Sequence, residues 1–396
     1  MRSFGVAPLI VGLAILTYGA SASIQTPAPD PVARLARRIQ SGNSNLAFEA
    51  KHGYLKSVLK ELGIPISSQT LVWSKTSLQG PRIGPRNPRA IYFNDHTYVG
   101  WVNGGEFIEI GSIHPTDGTQ FYTIRNVLQP KVAVDKEFDR CISCHAGPGM
   151  GGSPRLLARS VNADKLGYQL MSGGRIVTPR TPIEQRWGGW YVSGTHGKIR
   201  HRGNSPAVGD DESFTFDPEI GANKTDLSRY FDTGQYLSPH SDIVALMVLE
   251  SQMHLQNEII RTGSSVRRWL LDPDSTLASA CEPLVEALLG VGEAPLKEPI
   301  KGMGTFQREY ESGGIKDAKG RSLRELDLKT RLYKHRLNPM ILSESFSALN
   351  PVAKKQVLAR LAEIAEGTYA SERFSFLKES DRTALKDVLS SFKLVQ

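Results

Sequence analysis

Apolar positions recur along this chain with two periods, and the change between them divides it. Val32, Leu35, Ala36 and Ile39 follow Asp30-Pro31 at helical spacing, with the aspartate as cap and the proline in the first turn. Gly42 marks the stop. A second helix is predicted over 45–62, with Leu55, Val58, Leu59 and Leu62 on one face and Gly63 at its end. Leu71-Val72-Trp73 reads as a short strand. Pro81, Pro85 and Pro88 exclude a regular element over 79–89.

From residue 90 the runs become β-type. Ala90–Phe93, Tyr98–Val102, Phe107–Ile110 and Phe121–Ile124 are separated by Asn94-Asp95, Asn103-Gly104-Gly105 and Asp117-Gly118. These turn residues between aromatic-rich strands predict a β-meander. Residues 135–140 read as a helix start. Gly147 to Pro154 reads as a loop wrapping something, and Trp187 to Val192 as a strand.

Helical spacing returns at Ser238. Ser241-Asp242 caps a predicted helix to about Arg261, and further helices fit 275–290, 323–337, 341–348, 351–366 and 380–393. The fold class is α+β, with a meander-containing region packed against a mainly helical C-terminal region. The expected segments are a leader at 1–22, a helical segment and Pro-rich linker at 23–89, a β-rich region at 90–205, an irregular insertion at 206–237 and the helical region at 238–396.

The first residues change the picture. Arg2 precedes a largely apolar stretch from Phe4 to Tyr18, and Ala20-Ser21-Ala22 has the small-x-small pattern of a cleavage site. This is the layout of a secretory signal peptide. The stretch contains Pro8 and falls short of the roughly 20 residues a spanning helix needs. The expectation is export to the periplasm, with no transmembrane segment after cleavage.

The net charge of +8 is spread rather than blocked. It suits steering towards an acidic protein partner, such as a redox protein, more than nucleic acid. With 3 cysteines the chain has no disulfide framework. Cys281 stands alone on an apolar helix and reads as a small core residue.

The other two lie in Cys141-Ile142-Ser143-Cys144-His145. C-x-x-C-H is the attachment signature of c-type haem. One helical turn sets two thiols at the separation of the porphyrin's two vinyl groups, and the next residue carries an imidazole to the iron. A zinc ribbon would need two further ligands. A thioredoxin-type C-x-x-C would need a βαβ setting and leaves His145 unexplained. Cys141, Cys144 and His145 are therefore the expected cofactor-binding residues, with His145 as proximal iron ligand and its second ring nitrogen bonded to a carbonyl or carboxylate, first of all in the 147–154 loop.

The distal position separates function classes. A thioether or second imidazole closes the iron and makes an electron carrier; an open position permits peroxidase-like chemistry or sensing. Met171, beside Gly173-Gly174, is the first distal candidate and His196 the alternative; Met150, Met247, Met253, His201 and His254 are further candidates. Arg140, Arg155, Arg159, Arg175, Arg180 and Arg186 are available to haem propionates. Trp187, Trp190, Tyr191, Tyr92, Phe93 and Trp101 could wall the ring. One C-x-x-C-H implies one haem, and the chain is about three times longer than a simple carrier domain requires.

The motif makes the chain resemble c-type cytochromes. A broader resemblance is to large uncharacterised bacterial monohaem proteins with a cytochrome c domain. It rests on Pro88-Arg89-Ala90-Ile91-Tyr92-Phe93-Asn94-Asp95, Tyr98-Val99-Gly100-Trp101, Cys141 to His145, Arg186 to Gly197 and Ser241 to Met247. It implies covalent haem and a redox setting, and no substrate. The chain departs from small cytochromes in lacking a three-helix wrap around the motif.

Overall fold

The computed structural model describes residues 29–114, 116–146, 153–171, 174–273 and 276–395. The expected signal peptide and Met150 lie outside them. Two helices, α1 (Pro31–Gln40) and α2 (Leu55–Glu61), precede the sheet. Asp30 caps α1 through the N–H groups of Val32 and Ala33, as its Asp-Pro start predicts. The expected helix over 45–62 is shorter. Gly53 takes a positive φ of 63° and pairs with Glu49 in a tight bridge, so the helix begins only after it.

The meander is present. β1 (Thr70–Val72), β2 (Arg89–Phe93), β3 (Thr97–Trp101), β4 (Phe107–His114), β5 (Gly118–Arg125) and β6 (Asp135–Glu137) come first. A ribbon of β7 (Arg159–Ser160) and β8 (Arg175–Ile176) and a strand β9 (Trp190–Tyr191) follow. Seven of these form one antiparallel sheet in the order β6-β5-β4-β3-β2-β1-β9. Turn chemistry sets the register: Asn94 Oδ1 accepts from the N–H groups of His96 and Thr97 between β2 and β3, and Gly104 and Gly118 supply positive φ at the next two turns. β1 comes from the expected N-terminal segment and pairs with both β2 and β9. Residues 135–137 form a strand rather than a helix start, because they pair with Phe121, Tyr122 and Thr123 of β5. The expected insertion carries a second ribbon, β10 (Val208–Gly209) with β11 (Phe214–Thr215).

Strand alternation gives the sheet two unlike faces. Tyr92, Trp101, Ile108, Ile110 and Ile124 pack with Leu55, Val58 and Leu59 of α2. On the opposite face Phe93, Tyr98 and Ile113 pack with the first turns of a long helix described next. Beyond them that face turns polar and small-sided, with Arg89, Gly100 and Glu109.

Three short or long helices continue the chain: α3 (Asp139–His145), α4 (Pro218–Gly221) and α5 (Ile243–Leu271). α5 runs 29 residues, well past the expected stop at Arg261. It passes through Thr262-Gly263, both of which are buried. α6 (Leu277–Leu288), α7 (Phe306–Ser312), α8 (Glu344–Ser347), α9 (Pro351–Glu366) and α10 (Glu379–Ser391) complete the list of described helices. α6, α9 and α10 enclose a separate apolar core with the second half of α5. Cys281 is 1% exposed within it. The architecture is α+β with a helical C-terminal region. Among the described residues no helix is long and apolar enough to cross a membrane.

The expected helix over 323–337 is absent. Asp327 Oδ2 accepts from the N–H groups of Thr330 and Arg331, and Leu328 takes φ 56°. This side-chain-capped turn replaces helical bonding and folds Leu326 back against Tyr333.

Candidate functional site

α3 starts two residues after β6 and lies over the polar part of the sheet. Cys141, Cys144 and His145 occupy positions i, i+3 and i+4, so the three side chains share one face. No residue of α3 is fully buried. Both thiols are free; Cys144 is exposed and Cys141 is half-buried. Arg140 ties the helix down. It pairs with Glu137, which also accepts from Thr123 Oγ1 at 2.8 Å, and it lies over the Phe107 ring at 5.5 Å.

His145 is held from both sides. Its ring lies 4.5 Å from that of Phe121. Its Nδ1 is 2.7 Å from the Arg155 carbonyl oxygen. A carbonyl only accepts, so Nδ1 carries the proton and Nε2 the lone pair. Nε2 has no hydrogen-bond partner among the described residues. Burial pushes the imidazole pKa below its usual value, outweighing the Arg155 carbonyl, which raises it. The ring is therefore neutral at pH 7, the form that ligates a metal. The sequence placed this carbonyl in the 147–154 loop; it belongs to the residue just after.

The Cys141 thiol is pushed up to about 11, first by burial and then by the carboxylates of Glu137 and Glu109. A thiol-disulfide catalyst needs the opposite shift, towards thiolate. Beneath the helix Arg89 pairs with Glu109 at 2.6 Å, and Gln79 Nε2 donates to the same carboxylate at 3.1 Å. Gly100 leaves room for the Arg89 guanidinium, which a side chain at this position would displace from its seat. Among the described residues no cluster of three or more His, Cys, Asp or Glu is disposed to hold a metal ion.

His196 is 1% exposed, and both its nitrogens are engaged. Nδ1 bonds the Ile199 carbonyl at 2.8 Å, and Nε2 accepts from the Asn223 N–H at 2.9 Å. Bonded at both nitrogens, His196 pins two loops together, and a distal role would require the bond at Nε2 to be given up. Met171 is 87% exposed in the connection between β7 and β8, so packing does not place its thioether. Met247 and Met253 are core residues. His201 is buried against Trp187.

The expected aromatic wall is mostly elsewhere. Tyr92 and Trp101 point to the far face of the sheet, and Trp187 and Trp190 lie in the core against α5. Of the arginines, Arg186 pairs with Glu250, Arg180 with Glu286 and Arg140 with Glu137. Arg155 differs: its Nε is buried without a partner. Arg89, Phe107 and Phe121 were not legible as site residues, because only strand register brings them beneath α3.

No known protein family, characterised protein or solved structure matches the chain.

Proposed function

We propose that this chain is an exported, periplasmic c-type cytochrome with one haem c, joined through Cys141 and Cys144 and ligated by His145, and that it passes single electrons to a redox partner protein. The observation that carries the reading is the imidazole of His145. It is neutral, its tautomer is set by the Arg155 carbonyl, and its lone pair has no partner among the described residues. Bound haem would supply a one-electron iron couple. The chain's own contribution is to present two thiols, one exposed and one half-buried, on the same helical face as that imidazole. Phe121 and Phe107 supply apolar surface beside them, and Arg155, whose Nε–H has no partner among the described residues, would be a donor for a propionate.

A second reading has support of its own. Both nitrogens of His196 are already bonded and the Met171 thioether stands in solvent. An iron left open on the distal side would make this a haem enzyme, peroxidase-like or another oxidoreductase, or a haem-based sensor.

The test is mass spectrometry and optical spectroscopy of protein exported from a host competent in cytochrome maturation. A mass increased by one haem and lost in Cys141→Ala/Cys144→Ala is the expected result. A colourless polypeptide of unmodified mass would reject the reading. A ferrous spectrum unchanged by carbon monoxide selects the carrier; one that shifts selects the open site.

A further inference from the structure

We draw no further inference here: the strongest candidate, the exposed apolar patch of Leu270 and Leu271 at the end of α5, carries nothing because nothing in the structure shows what covers it.

Discussion

His145 and Arg155 are bonded to each other twice. The Arg155 N–H donates to the His145 carbonyl at 2.9 Å, and the Arg155 carbonyl accepts from the His145 imidazole at 2.7 Å. The reciprocal pair closes the chain between them and fixes the imidazole plane before any metal is involved. A preset ligand loses less freedom on binding than one that must be ordered.

This relationship is testable without haem. Nitrogen-15 NMR of the unmodified chain at pH 7 should show His145 neutral and protonated at Nδ1. Its titration midpoint should lie below the ordinary 6.5. A proton on Nε2, or a charged ring at pH 7, would remove the free lone pair from which the functional reading is argued.

Arg186 and Glu250 form the buried ion pair of the sheet–α5 core, at 2.8 Å and with side chains 5% and 4% exposed. Arg186 also donates to the carbonyls of Thr181 and Pro179. Arg186→Met strands an acid and two carbonyls, and should lower unfolding free energy by about 3–5 kcal/mol in urea titrations at pH 7. The double variant Arg186→Met/Glu250→Leu should lose less than Arg186→Met alone. A double variant no more stable than the single would show that the uncompensated carboxyl is not the source of the loss.

Burial raises the Glu250 carboxyl from its ordinary 4.5 to about 7, against the pull of Arg186. A raised folded-state pKa means the folded chain holds the proton more tightly. Its stabilising contribution is complete below pH 4.5 and lost as pH rises through 7. His201 has the opposite sign. Burial depresses it to about 3, so its contribution is present above the ordinary 6.5 and is lost as pH falls towards 3. Relative to wild type, Glu250→Gln should gain stability between pH 4.5 and 7, and His201→Phe should gain it as pH falls below 6.5. Parallel urea titrations across pH 4–8 check both slopes; a flat difference for either variant rejects that assignment.

What could be read from the sequence was local. Asp30-Pro31, Asn94-Asp95 and Ser241-Asp242 each act on the next few backbone N–H groups, and their elements lie where those residues place them. Gly53 carried a signal against the long second helix that the apolar spacing outweighed. The 323–337 segment failed differently. Its leucines have helical spacing, but Asp327 accepts from nearby backbone N–H groups, and Leu328 and Leu332 enter the sheet–α5 core while Leu323 and Leu337 enter the C-terminal core. The motif at Cys141–His145 was legible because its chemistry is contiguous. The sheet beneath it was not, since Arg89, Glu109 and Phe121 meet only through strand pairing.

Asn204 holds β9 to the following loop from a left-handed conformation, φ 64°. Its side chain accepts from the Val192 N–H at 2.7 Å and donates to the carbonyls of Val192 and Gly221 at 2.8 and 2.9 Å. Asn204→Ala loses three buried bonds and adds left-handed strain; Asn204→Gly loses the bonds alone. The alanine variant should be less stable than the glycine variant by about 1 kcal/mol, and both less stable than wild type by more than that. Equal midpoints for the two variants would show that the backbone relaxes out of the left-handed region.

Asp242 links the start of α5 to the loop before α7 through one carboxylate. Oδ1 caps α5, accepting from the N–H groups of Val244 at 2.8 Å and Ala245 at 3.3 Å. Oδ2 accepts from Met303 at 2.7 Å and Gly304 at 2.9 Å, across the chain. The side chain is buried, so water cannot replace these bonds. Asp242→Asn keeps one acceptor oxygen and turns the other end into a donor facing two N–H groups. It should therefore preserve the cap and break the cross-link. Hydrogen exchange should then accelerate at Met303 and Gly304 while Val244 stays protected, whereas Asp242→Ala should release both sites and cost about 2–4 kcal/mol. Equal loss of protection at both sites in Asp242→Asn would mean that cap and cross-link open together as one unit.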